Sequence, residues 1–225
     1  MTRGILVAGN ESSLSLAIAR EAAKRVESLA TAFIQNRLDP SVAIHSETMG
    51  EGSTHIPLNW NPGSPISARS VILAAENRLG QIDDAVLVCS PPAIRKRPNE
   101  LSHGEIESIV NDNIKGWFFL VRELTLKFRA RENGTLSLVM NDISPGGKDD
   151  TVDIVGPSAA AAFRAFAQGI LASSSGEPYR TIAFSSADGG NDEDFAAYIF
   201  KLIDEGGKRD SGKWYKYGKL SLFGR

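Results

Sequence analysis

Short apolar runs alternate along the chain with stretches whose apolar positions recur every three or four residues. Ile5 to Ala8 is an unbroken apolar run closed by Gly9, the pattern of a strand buried on both faces. Leu14, Ala17, Ile18 and Ala22 follow at helical spacing and predict a helix from about Ser13 to Ser28. Ala30 to Ile34 predicts the second strand. Val42–Ile44 and His55–Leu58 read as short strands around a Gly/Ser/Thr-rich turn, and Pro62-Gly63-Ser64-Pro65 is a break. Further helices are predicted over Ile66–Leu79, closed by Gly80, over Ser102–Arg129, Pro157–Ser173 and Asp192–Asp204. Strands are predicted over Ala85–Cys89, Thr135–Met140, Arg180–Phe184 and Trp214–Tyr217. Strands separated by helices, without an internal repeat, predict the α/β class. The expected architecture is a doubly wound parallel sheet between two helix layers, in a single domain spanning 1–225.

Composition agrees with that reading. The 225 residues, 42% apolar and 23% charged, suit one domain; a chain of this size buries roughly 70% of its unfolded surface without disulfides or metals. A net charge of −2 gives no general attraction to nucleic acid or to acidic membranes, so neither partner is expected. The one cysteine, Cys89, excludes a disulfide framework, and its place at a strand end without a nearby histidine reads as a small buried apolar residue. His45, His55 and His103 are too scattered for a metal site, and none is expected. No apolar run approaches the roughly 20 residues that cross a bilayer. The apolar part of the amino end is too short for a secretory signal. The expected location is the cytoplasm.

Four stretches in order carry a resemblance to the short-chain dehydrogenase/reductase family, over about Gly4 to Gly218. They are the strand–Gly9–helix start, Gly80–Ser90 in place of the family's strand ending Asn-Asn-Ala-Gly, Asn113-Ile114-Lys115-Gly116-Trp117-Phe118 in place of Asn-x-x-Gly-x-Phe, and Asp210–Lys213 before the last strand. The resemblance implies a Rossmann-like, three-layer α/β/α fold, NAD or NADP as cofactor, and a homodimer or homotetramer. It places the dimer contact on the long helices after the fourth and fifth strands, where Ala159–Ala162 would permit close approach.

The family turn Thr-Gly-x-x-x-Gly-x-Gly reads Ala8-Gly9-Asn10-Glu11-Ser12-Ser13-Leu14-Ser15 here. Gly9, Ser15 and Ala17 are similar to the variant found in enoyl-acyl-carrier-protein reductases, which implies that Ser15 offers a hydroxyl and N–H to a phosphate. Read from the residues alone, Ser12 or Ser13 equally serves as a plain N-cap. Glu11 beside that turn would repel phosphate unless it points outward. The cofactor positions implied by the resemblance are Gly9, Asn10 and Ser15 in the turn, Arg37 facing an NADP ribose phosphate, Asn59 at the adenine, Ser90 after the fourth strand, and Asn113. Arg37 also reads as a solvated loop residue. Asn113 also reads as a polar residue satisfying a local backbone irregularity, and Trp60 beside Asn59 as a group that fills the adenine space.

Carbonyl reduction in this family uses a Tyr as proton donor, a Lys that lowers its pKa, a Ser that orients the carbonyl and an Asn that supports a water relay. The matching helix positions hold Pro157 and Ala161, the alternative Tyr position holds Ile154, and the serine position falls at Asn141 or Asp142. Only Asn113 matches, so no catalytic residue is assigned. Two functions remain: a non-catalytic nucleotide-binding or scaffold relative, or an NAD(P)H-dependent oxidoreductase of a carbonyl or enoyl substrate with relocated groups at Ser144, Lys148 and Asp149. The loop Ser144–Asp150 reads rather as an exposed charged turn, Arg95-Lys96-Arg97 as a solvated loop rather than a greeting for an anionic ligand, and the basic and aromatic residues from Lys208 to Phe223 as a last strand with solvated charges rather than a single-stranded nucleic-acid surface.

Overall fold

The computed structural model describes residues 3–34, 53–91, 93–141, 153–187 and 191–218. Its strands are β1 (Ile5–Asn10), β2 (Ser28–Ile34), β3 (Thr54–Pro57), β4 (Asp84–Cys89), β5 (Thr135–Asn141), β6 (Arg180–Ser186) and β7 (Lys213–Tyr217). They form one seven-stranded sheet in the order β3-β2-β1-β4-β5-β6-β7, with every neighbouring pair parallel. Parallel strands need crossovers, and the helices supply them: α1 (Ser13–Ala23), α2 (Pro65–Leu79), α3 (His103–Val110), α4 (Gly116–Arg131), α5 (Val155–Ser173) and α6 (Asp192–Glu205).

Each face of the sheet carries its own core, as side chains alternating along β1 require. Leu6 and Ala8 join Leu87, Leu138, Trp117 and Phe163 under α2, α4 and α5. Ile5 and Val7 join Val88, Phe184, Ile18, Phe195 and Phe200 under α1 and α6. The aromatics of β7 divide the same way, Trp214 packing on the first core and Tyr215 and Tyr217 on the second. They are sheet residues, as the last-strand reading expected.

Three boundaries differ from the sequence reading. The first helix ends at Ala23 rather than Ser28, because the Arg25 N–H turns back to Ala22 O at 2.9 Å and Ser28 already pairs with Thr54 across the sheet. The long helix expected over Ser102–Arg129 is two helices joined by a π turn, Asn111–Lys115, where the Gly116 N–H reaches Asn111 O. The helix expected from Pro157 opens at Val155, because Asp153 Oδ1 accepts the Val155 and Gly156 N–H groups at 3.0 Å each. The Val42–Ile44 strand lies outside the described residues. No helix among the described residues is long and apolar enough to cross a membrane, and no cluster of three metal-ligating side chains occurs among them.

Candidate functional site

Chain order reverses at β1, which lies between β2 and β4, so the crevice beyond the carboxyl ends of β1 and β4 is the switch point where open α/β sheets take ligands. The residues there hold one another. Gly9 has φ +151°, and a Cβ on it would lie 2.0 Å from the Val88 carbonyl oxygen. The close approach of β1 to β4 requires that glycine. Asn10 is 5% exposed; its Oδ1 accepts the Ser90 N–H at 3.0 Å and its Nδ2 donates to Asn113 Oδ1 at 3.4 Å. Asn113 Nδ2 in turn donates to the Ile109 carbonyl at 3.1 Å, within the segment that the π turn distorts. The irregularity-satisfying role read for Asn113 is therefore the one its contacts show.

The start of α1 is capped from within the chain. Ser12 is the N-cap, in extended backbone, and its Oγ accepts the Ser15 N–H at 3.1 Å. Ser12 and Ser15 hydroxyls share a 2.8 Å hydrogen bond, and Ser15 Oγ donates to Asn10 O. Ser15 is fully buried. Its hydroxyl and N–H, expected to serve a phosphate, are both engaged within the chain. Family glycines at this place allow close helix–strand packing, and here a small buried hydroxyl fills that position. Ser13, the first helical residue, donates from Oγ to Asp192 Oδ2 at 2.6 Å.

Gly9, Asn10, Ser15, Ser90 and Asn113 are thus brought together at one sheet edge. Asn59 is apart from them and exposed, past the end of β3. Trp60 is 8% exposed and stands edge-on to Trp117 (centroids 5.7 Å), which stands edge-on to Phe163 (5.1 Å). It packs in the core under α4 and α5. Arg37, Asp142, Ser144, Lys148 and Asp149 lie outside the described residues.

The strand ends at this edge offer amides and hydroxyls: Ser90, Asn141 and Ser186. On α5, Pro157 is half-buried and Ala161 exposed. Proline fits in a first helical turn, where its missing N–H removes no intrahelical bond. Asp153 Oδ1 also receives the Ile94 N–H at 3.3 Å, so this carboxylate acts as an acceptor that ties α5 to the segment after β4. Cys89 is buried, and burial pushes its thiol far above the ordinary range, which keeps it un-ionised and inert. Sequence reasoning missed Asp153 and Asp192. Asp192 showed only the acidic start of a helix, and its partner Ser13 is 179 positions away.

The architecture matches solved structures of short-chain dehydrogenases/reductases over nearly its whole length. A short-chain dehydrogenase from Mycobacterium smegmatis is 13% identical with a TM-score of 0.71, covering 98% of this chain and 94% of its own. A short-chain type dehydrogenase/reductase from Mycobacterium marinum is 15% identical with a TM-score of 0.74, covering 95% and 92%. An NADH-dependent reductase, A1-R', complexed with NAD is 14% identical with a TM-score of 0.74, covering 96% and 94%. No protein-family model and no curated protein matches the chain by sequence. The chain has the short-chain dehydrogenase/reductase fold.

Proposed function

We propose that the chain is a non-catalytic relative of the short-chain dehydrogenases/reductases that works as a self-associating scaffold. The observation that carries this reading is the start of α5, where Pro157 and Ala161 occupy the positions that the resemblance gives to a proton donor and its lysine. Neither side chain holds a transferable proton or a charge, and positioned acid–base groups are worth roughly 10²–10⁴ in rate. The self-satisfied turn between β1 and α1 supports the same conclusion. Purified protein given NADH or NADPH with a panel of carbonyl and enoyl substrates is expected to show no oxidation above the buffer rate. Substrate-dependent, saturable oxidation would sink the proposal, and its loss in Lys148→Ala would favour the relocated-acid enzyme instead.

The self-association surface lies on α3, the π turn, α4 and α5. Ile106, Val110, Ile114 and Phe118 are exposed at intervals of four, with Phe118 57% open. Ile114 and Phe118 border an apolar groove of about 410 Å³ floored by Ala162, Ala165, Phe166 and Gly169. The small residues that admit close approach are therefore Ala162 and Ala165, while Ala159 and Ala160, also expected in that role, are buried in the chain's own core. A row of large apolar side chains on a water-facing helix marks an interface, and a second copy can seat Phe118 in the same groove of its neighbour. Phe118→Asp is expected to raise the dimer dissociation constant by at least about 30-fold, roughly 2 kcal/mol, in sedimentation equilibrium. A monomeric wild-type protein at tens of micromolar would refute the assignment.

A further inference from the structure

We infer that the amino end of α1 is closed to a dinucleotide by the chain's own side chains, with the Asp192 carboxylate standing where a pyrophosphate would bring its charge. This deepens the non-catalytic reading and rests on it. A helix amino end that follows the first strand attracts phosphate through unpaired N–H groups and a positive dipole. Here one of those N–H groups, at Ser15, and the hydroxyls beside it are already engaged. The Ser15 N–H is held by Ser12 Oγ, the Ser15 hydroxyl by Asn10 O, and the Ser13 hydroxyl by Asp192 Oδ2 at 2.6 Å.

The position of Asp192 follows from the fold. It opens α6, capped by Asn191, whose Oδ1 accepts the Asp194 N–H at 3.1 Å. α6 packs beside α1, where the Arg20–Glu193 ion pair at 2.9 Å joins the two helices. Two positive helix ends therefore lie side by side at the same sheet edge, and a carboxylate between them is favourable to both. Asn10 completes the closure. Its amide spans from the Ser90 N–H at the end of β4 to Asn113, across the floor of the crevice that a dinucleotide would enter. A pyrophosphate would have to displace hydrogen bonds and approach a fixed negative charge, so the residues present do not fit it.

The test is a calorimetric titration of the full chain with NADH, NADPH and inorganic pyrophosphate, run on wild type and on Asp192→Asn. The variant keeps an acceptor for Ser13 and removes the charge. Wild type is expected to show no saturable binding up to about millimolar ligand, a weaker affinity than roughly 4 kcal/mol. Asp192→Asn is expected to bind pyrophosphate at least about tenfold tighter than the wild-type value or limit, with the gain shrinking as salt is raised. Micromolar binding by wild type overturns the inference, and so does an Asp192→Asn protein, folded by circular dichroism, that binds no better than wild type. Dinucleotide binding without turnover would leave the non-catalytic reading standing, which separates the two failures.

Discussion

Gly9→Ala is expected to lower the melting temperature by about 8–16 °C, a loss of roughly 4 kcal/mol in a domain of this size. Two terms add. At φ +151° an L residue is strained, at about 1–3 kcal/mol. The new methyl would also sit 2.0 Å from the Val88 carbonyl oxygen and 2.8 Å from its carbon, atoms fixed in the central sheet. Overpacking against an immovable neighbour adds about 1–3 kcal/mol. Gly80→Ala is the control. Gly80 has φ +80° at the end of α2, but no atom lies within 4 Å of where its Cβ would go. It is expected to lose only about 1 kcal/mol. Thermal denaturation of both variants without nucleotide decides the matter. A Gly9 kept only for cofactor approach would lose no more than the backbone strain that Gly80→Ala also shows, whereas a glycine required by β1–β4 spacing would lose clearly more. For the same reason, a bulky residue at Gly9 is no probe of the loop alone, since it would disrupt the sheet.

Much of the fold was legible because hydrophobic periodicity reports burial directly. Ala85–Cys89 is apolar without alternation because both its faces are covered, Thr135–Met140 is buried on both faces although Thr135 and Ser137 alternate with leucines, and the sheet places the two as neighbouring central strands. The π turn was not legible. One extra residue per turn shifts the phase of the pattern, and Ile106, Val110, Ile114 and Phe118 keep their spacing of four across it. The candidate site divides in the same way. The local part, Ser12 capping a helix that starts at Ser13, follows from residue types within one turn. The non-local part, Asn10 reaching Ser90 and Asn113, and Ser13 reaching Asp192, joins residues 80 or more positions apart. Such pairings depend on strand order and helix packing, which no spacing rule encodes. The resemblance to a dinucleotide-binding turn named residues that the fold brings together, and it gave no sign that the Ser15 N–H and hydroxyl are engaged within the chain.

Trp117→Ala is expected to remove about 4 kcal/mol from the unfolding free energy, read as a fall in the urea midpoint at unchanged slope. The indole is 1% exposed and makes edge-on contacts with Trp60 and Phe163, so truncation leaves a large void and breaks two aromatic pairs. Trp117→Phe should cost much less. Trp117 Nε1 is buried without a hydrogen-bond partner among the described residues, and phenylalanine eliminates that unsatisfied donor while retaining most of the apolar volume. The consequence reaches the proposed interface and the Asn10–Asn113 contact together. Gly116 beside it packs so tightly that a Cβ would lie 2.5 Å from Pro62 Cβ, so the start of α4 is held between that proline and the aromatic cluster. With the cluster hollowed, the π turn loses one of its two supports, and Asn113 and Phe118 ride on it. Hydrogen exchange across Ile114–Phe118 should therefore accelerate in Trp117→Ala under conditions where the protein stays folded, and the proposed self-association should weaken, since Trp117 also lines the groove beside Phe118. An alanine variant that melts like wild type, or one that weakens the fold but leaves exchange at the π turn untouched, would show that the cluster does not position this edge.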